Sequence, residues 1–178
     1  MQFNFGQPLT GIMQMAYVVE DIRSSMSQWI RNMNVGPWFL LERWRGAEPV
    51  YRGAPSKTEI AAAMDFSGHM LIELIQPLDD HPSVYKETIQ RVGYGFHHFG
   101  VGSNDYQADI NQYEQRGYPL AFQTRVPTGG LVGYVDTTKD LPGFIEVIEN
   151  GPAVDRFFTG FYTAALNWDG TDPIRPFA

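Results

Sequence analysis

The sequence predicts an α+β protein in which a strand–helix–three-strand unit occurs twice and a C-terminal helix follows. Three observations predict it. Gln14 precedes Asp21 by seven residues and His98 precedes Asp105 by the same seven, and each pair joins an apolar strand pattern to a helix start. Ile72-Glu73-Leu74-Ile75 reappears as Ile145-Glu146-Val147-Ile148. Between these anchors, each half runs through the same order of helical and alternating patterns. A length of 178 residues suits a single domain over 1–178. Its first module covers about 9–80, its second about 94–150 and a helical tail about 151–178.

Residues 11–19 form an apolar strand ending in Val18-Val19. Asp21 caps a helix over 22–33, where Ile22, Met26, Trp29, Ile30 and Met33 share one face. Asn34, Gly36 and Pro37 stop it. Residues 37–57 mix aromatics with arginines and read as a strand followed by a loop. Strands over 58–66 and 69–76 flank a turn at Ser67-Gly68, and Pro77 ends the second. A helix over 83–92 leads to a strand over 96–102, which opens the second module. The helix over 106–116 turns Ile110 and Tyr113 inward and ends at Gly117. Strands follow near 119–125, 131–137 and 143–149, separated by Thr128-Gly129-Gly130 and Leu141-Pro142-Gly143. Phe157, Phe158, Phe161, Leu166 and Trp168 give 153–168 an amphipathic helical pattern, and the turn-rich end is expected to lie across the surface. His98 follows Gln14 by 84 residues but Glu146 follows Glu73 by 73. The first module therefore holds 11 more residues, placed in the loop around 43–57.

Composition narrows the function. Hydrophobic residues make up 43% and charged ones 19%, which specifies a folded chain with a core rather than a solvated polymer. The net charge of −7 opposes nucleic-acid binding, which needs positive charge to displace counterions. No Lys/Arg run offers a membrane contact, and no stretch is apolar for the length of a membrane span. The absence of cysteine removes disulfides, thiolate nucleophiles and Cys-ligated metal. Met1–Thr10 lacks a basic segment followed by an apolar run, so a cytoplasmic protein with a small-molecule partner is expected.

Glu73 and Glu146 each interrupt an apolar strand. Burial of an ionised carboxylate costs several kcal/mol unless a cation or strong donors offset it. Either residue alone could instead face water, since strand side chains alternate. Their matching places in two repeats favour a shared role. Alternation also sends His97 and His98 to opposite faces, so at most one enters a common pocket. The repeat register selects His98, the counterpart of Gln14, itself a lone amide between Met13 and Met15. His69 and His81 have no counterpart and are given no role. Gly129-Gly130 lacks the Gly-Lys-Ser/Thr of a phosphate loop, and no serine nucleophile elbow is present.

These segments, with Leu71–Pro77, Gly95–Gly100 and Pro142–Glu149, resemble the vicinal-oxygen-chelate superfamily of glyoxalase I, methylmalonyl-CoA epimerase, extradiol dioxygenases and bleomycin-resistance proteins. The stretch from Glu73 through His98 looks closest to the epimerases, and the likeness covers about residues 11–150. The resemblance implies a curved mixed sheet around a metal pocket. The first and last strands of each module would supply the ligands, which here are Gln14, Glu73, His98 and Glu146. Epimerases usually carry His at the position of Gln14, whereas a Gln/Glu/His/Glu set is similar to that of zinc-type glyoxalase I. Extradiol dioxygenases need two His and one carboxylate, which Gln14 disfavours. One imidazole and three oxygen donors suit Zn, Ni, Co, Mn or Mg.

The implied activity is that of a metal-dependent lyase or isomerase moving a proton next to a carbonyl, with Glu146 as base and Glu73 as the second choice. The alternative is a metal-free protein that sequesters an apolar or aromatic ligand. A homodimer is implied as well, with the C-terminal helix either at the contact or capping its own sheet. Arg43, Arg45 and Arg52 stand among Trp38, Phe39, Trp44 and Tyr51. They form either a clamp over an anionic or aromatic substrate or, as the simpler reading, a solvated loop above packed aromatics.

Overall fold

A computed structural model describes residues 11–177. The segment Met1–Thr10, read above for a leader, lies outside the described residues. The first module runs β1 (Ile12–Val18), α1 (Ile22–Met33), β2 (Trp38–Trp44), β3 (Ala47–Tyr51), β4 (Ala54–Pro55), β5 (Ile60–Ser67) and β6 (Met70–Pro77). Helix α2 (Val84–Val92) leads into β7 (Gly95–Ser103), α3 (Tyr106–Gln115), β8 (Leu120–Arg125), β9 (Leu131–Val135) and β10 (Phe144–Glu149). The tail supplies α4 (Pro152–Leu166) and β11 (Ile174–Pro176). The expected repeated α+β plan is present as a large, curved, mixed sheet that does not close. Its strand order is β11-β2-β5-β6-β1-β7-β10-β9-β8-β3-β4.

The helix starts follow local chemistry. Asp21 accepts from Ser24 N at 2.6 Å, and its counterpart Asp105 accepts from Ala108 N at 3.1 Å. Ser83 does the same for α2 through Lys86 N at 3.2 Å. Helix α1 ends at Asn34, whose φ of 54° is the left-handed conformation that asparagine tolerates. Its buried Ile22 and Met26 pack with Trp38, Ala63 and Leu74 on the outer face of the first module. On the second module Tyr106 and Ile110 of α3 pack against Val135 and Val147. Both helices thus cover the outside, leaving the inner face for a second layer of side chains.

The first and last strands of each module lie side by side and parallel, β1 with β6 and β7 with β10. The two modules meet where β1 runs antiparallel to β7. Four adjacent central strands, β6-β1-β7-β10, therefore come from the four segments that carried the repeat.

Two expectations are corrected. Residues 43–57 are not a loop: β3 and β4 form a hairpin, and β3 pairs with β8 across the far edge of the second module. The extra residues of the first module are thus an arm that reaches across the molecule. The C-terminal end does not simply lie on the surface, because β11 adds a parallel strand to β2. No helix among the described residues is long and apolar enough to cross a membrane.

Gly143 lets β10 approach β7. A Cβ there would sit 2.1 Å from the His97 carbonyl oxygen, a backbone atom that cannot rotate away. Gly143→Ala is expected to destabilise the fold by about 1–3 kcal/mol, the usual cost of overpacking, seen as a lower urea midpoint with an unchanged slope.

Candidate metal centre and active site

The four residues selected from sequence meet at one buried point, one from each central strand. Gln14 Nε2 donates to Glu73 Oε2 and to Glu146 Oε2, each at 2.9 Å, and lies 2.9 Å from His98 Nε2. His98 Nε2 is 3.4 Å from Glu73 Oε2 and 3.2 Å from Glu146 Oε2. One ligand atom from each of Glu73, His98 and Glu146 falls within 4.8 Å of the others. The register explains the convergence: Ala16 stands opposite both Glu73 and His98, and Gly100 stands opposite both Gln14 and Glu146. Gly100 is needed there, since a Cβ would lie 2.7 Å from Gln14 Cβ.

The cluster is short of positive charge. All four side chains are buried, and the only ion-pair partner of either carboxylate among the described residues is His98. Burial, and then the charge of Glu146, hold the Glu73 carboxyl well above its ordinary range. The amide of Gln14 has two protons for three neighbours, while its Oε1 is buried with no partner. Turned over, Oε1 would complete an O, O, O, N set aimed at one point. The donor set and the orphaned oxygen therefore fit a divalent cation held by Gln14, Glu73, His98 and Glu146.

The expectation that His97 and His98 point apart is not met. A bulge skips His97 in the pairing of β1 with β7, where Ala16 faces His98 and Tyr17 faces Phe96. Both rings consequently lie on the inner side, with their Nδ1 atoms 2.7 Å apart. His97 packs among Tyr85, Tyr134 and Phe144, at ring centroid distances of 5.0, 5.5 and 5.2 Å. Burial, reinforced by His98, pushes its pKa well below the ordinary range and keeps it neutral.

A cavity opens beside Gln14, Glu73 and Glu146, with about 750 Å³ of empty space including its mouth. Tyr85 and Tyr134 line it, their hydroxyls 3.5 Å apart. Burial raises the pKa of both, so each remains a phenol able to donate to a substrate oxygen. Neither tyrosine was singled out from sequence, although Tyr134 is the direct cross-strand neighbour of Glu146. Trp44 reaches the cavity from the arginine-rich segment. Of the arginines there, Arg45 is exposed and outside the cavity lining, and the other two are engaged elsewhere. Arg43 pairs with Glu59 at 2.7 Å, while Arg52 pairs with Glu87 at 2.6 Å and Asp136 at 2.7 Å.

Residues 13–134 match the model of the Glyoxalase/Bleomycin resistance protein/Dioxygenase superfamily, and the chain belongs to that superfamily. Among solved structures it is similar to methylmalonyl-CoA epimerase from Mycobacterium tuberculosis, with 15% identity and a TM-score of 0.58 over 85% of this chain and 95% of that one. A hypothetical protein from Bacillus halodurans matches with 18% identity and a TM-score of 0.58, over 81% of this chain and 96% of the other. A variant Streptomyces coelicolor methylmalonyl-CoA epimerase in complex with 2-nitronate-propionyl-CoA gives 15% and 0.58, over 82% and 98%. These likenesses establish a shared fold. A search of curated proteins finds no match to the chain.

The raised pKa of Glu73 has a signed consequence. The folded chain retains a proton that the unfolded chain releases above the ordinary carboxyl value of 4.5. Its favourable contribution is full below that value and is lost as pH rises toward the raised pKa. Buried Asp65, pushed up to about 7, adds a trend of the same sign. A comparison with Glu73→Gln isolates Glu73. In ion-free protein the melting temperature should fall more steeply with pH above 4.5 in wild type than in the variant, as read by scanning calorimetry.

Proposed function

We propose that the chain is a metal-dependent lyase or isomerase, of glyoxalase or epimerase type, that transfers a proton next to a carbonyl of a small substrate. The observation that carries this reading is the convergence of Gln14, Glu73, His98 and Glu146 on one buried point whose carboxylates have no Lys or Arg partner among the described residues. A bound divalent ion polarises a substrate carbonyl and acidifies the adjacent C–H. Superfamily membership and the epimerase-like fold of solved neighbours support the assignment.

The remaining work falls to the protein. Glu146 lines the cavity and accepts the proton, and Glu73, which lines it as well, can return it. Tyr85 and Tyr134 offer phenolic donors to the substrate oxygen, and the apolar walls exclude water. For His98 Nε2 to present a lone pair, the ring proton must sit on Nδ1 and be donated to Nδ1 of His97. His97 thereby fixes both the tautomer and the orientation of His98.

Two outcomes test this reading. Glu146→Gln should slow exchange of the substrate α-proton for deuterium by about 100-fold or more, measured by NMR, while substrate still binds. A wild-type chain that binds carbonyl compounds in the presence of Zn, Ni, Co or Mn but never exchanges that proton would replace this reading with sequestration. Separately, His97→Phe keeps an aromatic ring in the packing but removes the acceptor. It should weaken divalent-ion binding by about 10–100-fold, measured by titration calorimetry, with the fold retained by circular dichroism.

A further inference from the structure

The cavity walls restrict the substrate beyond the presence of a carbonyl. Among the described residues, no Lys or Arg lines the cavity, and its charged members are Glu73 and Glu146 alone. Two carboxylates balance one divalent ion, leaving no positive charge to receive an anionic group. Arg43 and Arg52 are held at 2.6–2.7 Å by Glu59, Glu87 and Asp136, and Arg45 is exposed and does not line the cavity. An anionic substrate body would therefore lose its hydration without a compensating partner.

The surfaces that remain are aromatic. Trp44 and Phe122 line one part of the cavity, and Phe157, Phe158 and Phe177 line another. The second group comes from the tail, outside the 13–134 stretch that defines the superfamily match. Phe157 of α4 stacks on Phe177, which follows β11, with centroids 5.5 Å apart. That contact joins the two pieces of the tail over the cavity.

One polar atom stands apart from the metal-ligand cluster. Thr128, in the β8–β9 turn, lines the cavity with its Oγ1 buried and without a partner. Thr124 is different, since its hydroxyl is spent on the Ala47 carbonyl at 3.1 Å. A buried hydroxyl without a partner is costly and is relieved by a ligand that bonds it.

We propose that the substrate is an uncharged carbonyl compound with an aromatic or alicyclic body seated against the tail's phenylalanines, and with a further oxygen bonded by Thr128. The proposal deepens the proton-transfer reading and rests on it for the position of the reacting carbonyl, but it is tested by binding alone.

Titration calorimetry on the full chain with zinc would compare 2,4'-dihydroxyacetophenone, 2-hydroxyacetophenone and malonyl-CoA. The first carries a distal hydroxyl, the second lacks it and the third is anionic. The first should bind about tenfold tighter than the second, a preference that disappears in Thr128→Val. Phe157→Ala should weaken both ketones while Phe157→Leu restores part of the affinity, and circular dichroism would confirm that each variant folds. Tighter binding of malonyl-CoA, no binding of either ketone, or a hydroxyl preference untouched by Thr128→Val would overturn the proposal. Ketone binding without α-proton exchange would refute the catalytic reading and leave the ligand class standing. Proton exchange on malonyl-CoA with no ketone binding would do the reverse.

Discussion

Two carboxyl groups are buried against each other at the middle of the sheet, and the arrangement around them is what makes that burial tolerable. Glu73 and Glu146 come from the last strands of the two modules and share the amide of Gln14 and the imidazole of His98. Contact with an amide and an imidazole does not replace the hydration both acids give up. The cost is met partly by protonation, as the raised pKa of Glu73 indicates, and would be met fully by a divalent cation. Binding of such an ion would thus be linked to folding stability.

The topology serves that cluster. Parallel pairing of first and last strands within each module, and antiparallel pairing between modules, bring four strands into adjacency so that each contributes one side chain. A slip of one residue in any of these ladders would turn its member of the cluster to the outer face among the helix contacts. The outer helices hold the register through apolar packing, and Gly100 and Gly143 allow the close approaches that the site needs. The inner face is left to aromatic side chains, so the polar cluster opens into a cavity with little competing hydrogen bonding.

Much of this was legible in the sequence because it rests on local periodicity and on repetition. The first helix was expected over 22–33 and occupies Ile22–Met33, since its apolar stripe and both caps lie within the segment itself. The four converging residues were identified from their matching places in two repeats, and the structure brings them together. What escaped depended on distant partners. Strand β3 is a strand because β8 lies beside it, and β11 is three residues long and exists by pairing with β2. The alternation rule misplaced His97 because it assumes a regular ladder, and the bulge at that residue brings both imidazoles inward. Nothing in the tail's own pattern reveals that Phe157, Phe158 and Phe177 wall the cavity. Their amphipathic spacing shows only that one face is buried.

The proposed activity depends on the buried Gln/Glu/His/Glu cluster holding a cation. Its most direct test is the metal content of gently purified protein by mass spectrometry, compared with His98→Ala and Glu146→Gln. About one divalent ion per chain is expected in the wild type, lost in both variants. A wild-type protein that retains no ion, and takes up none on reconstitution with Zn, Ni, Co or Mn, would contradict it.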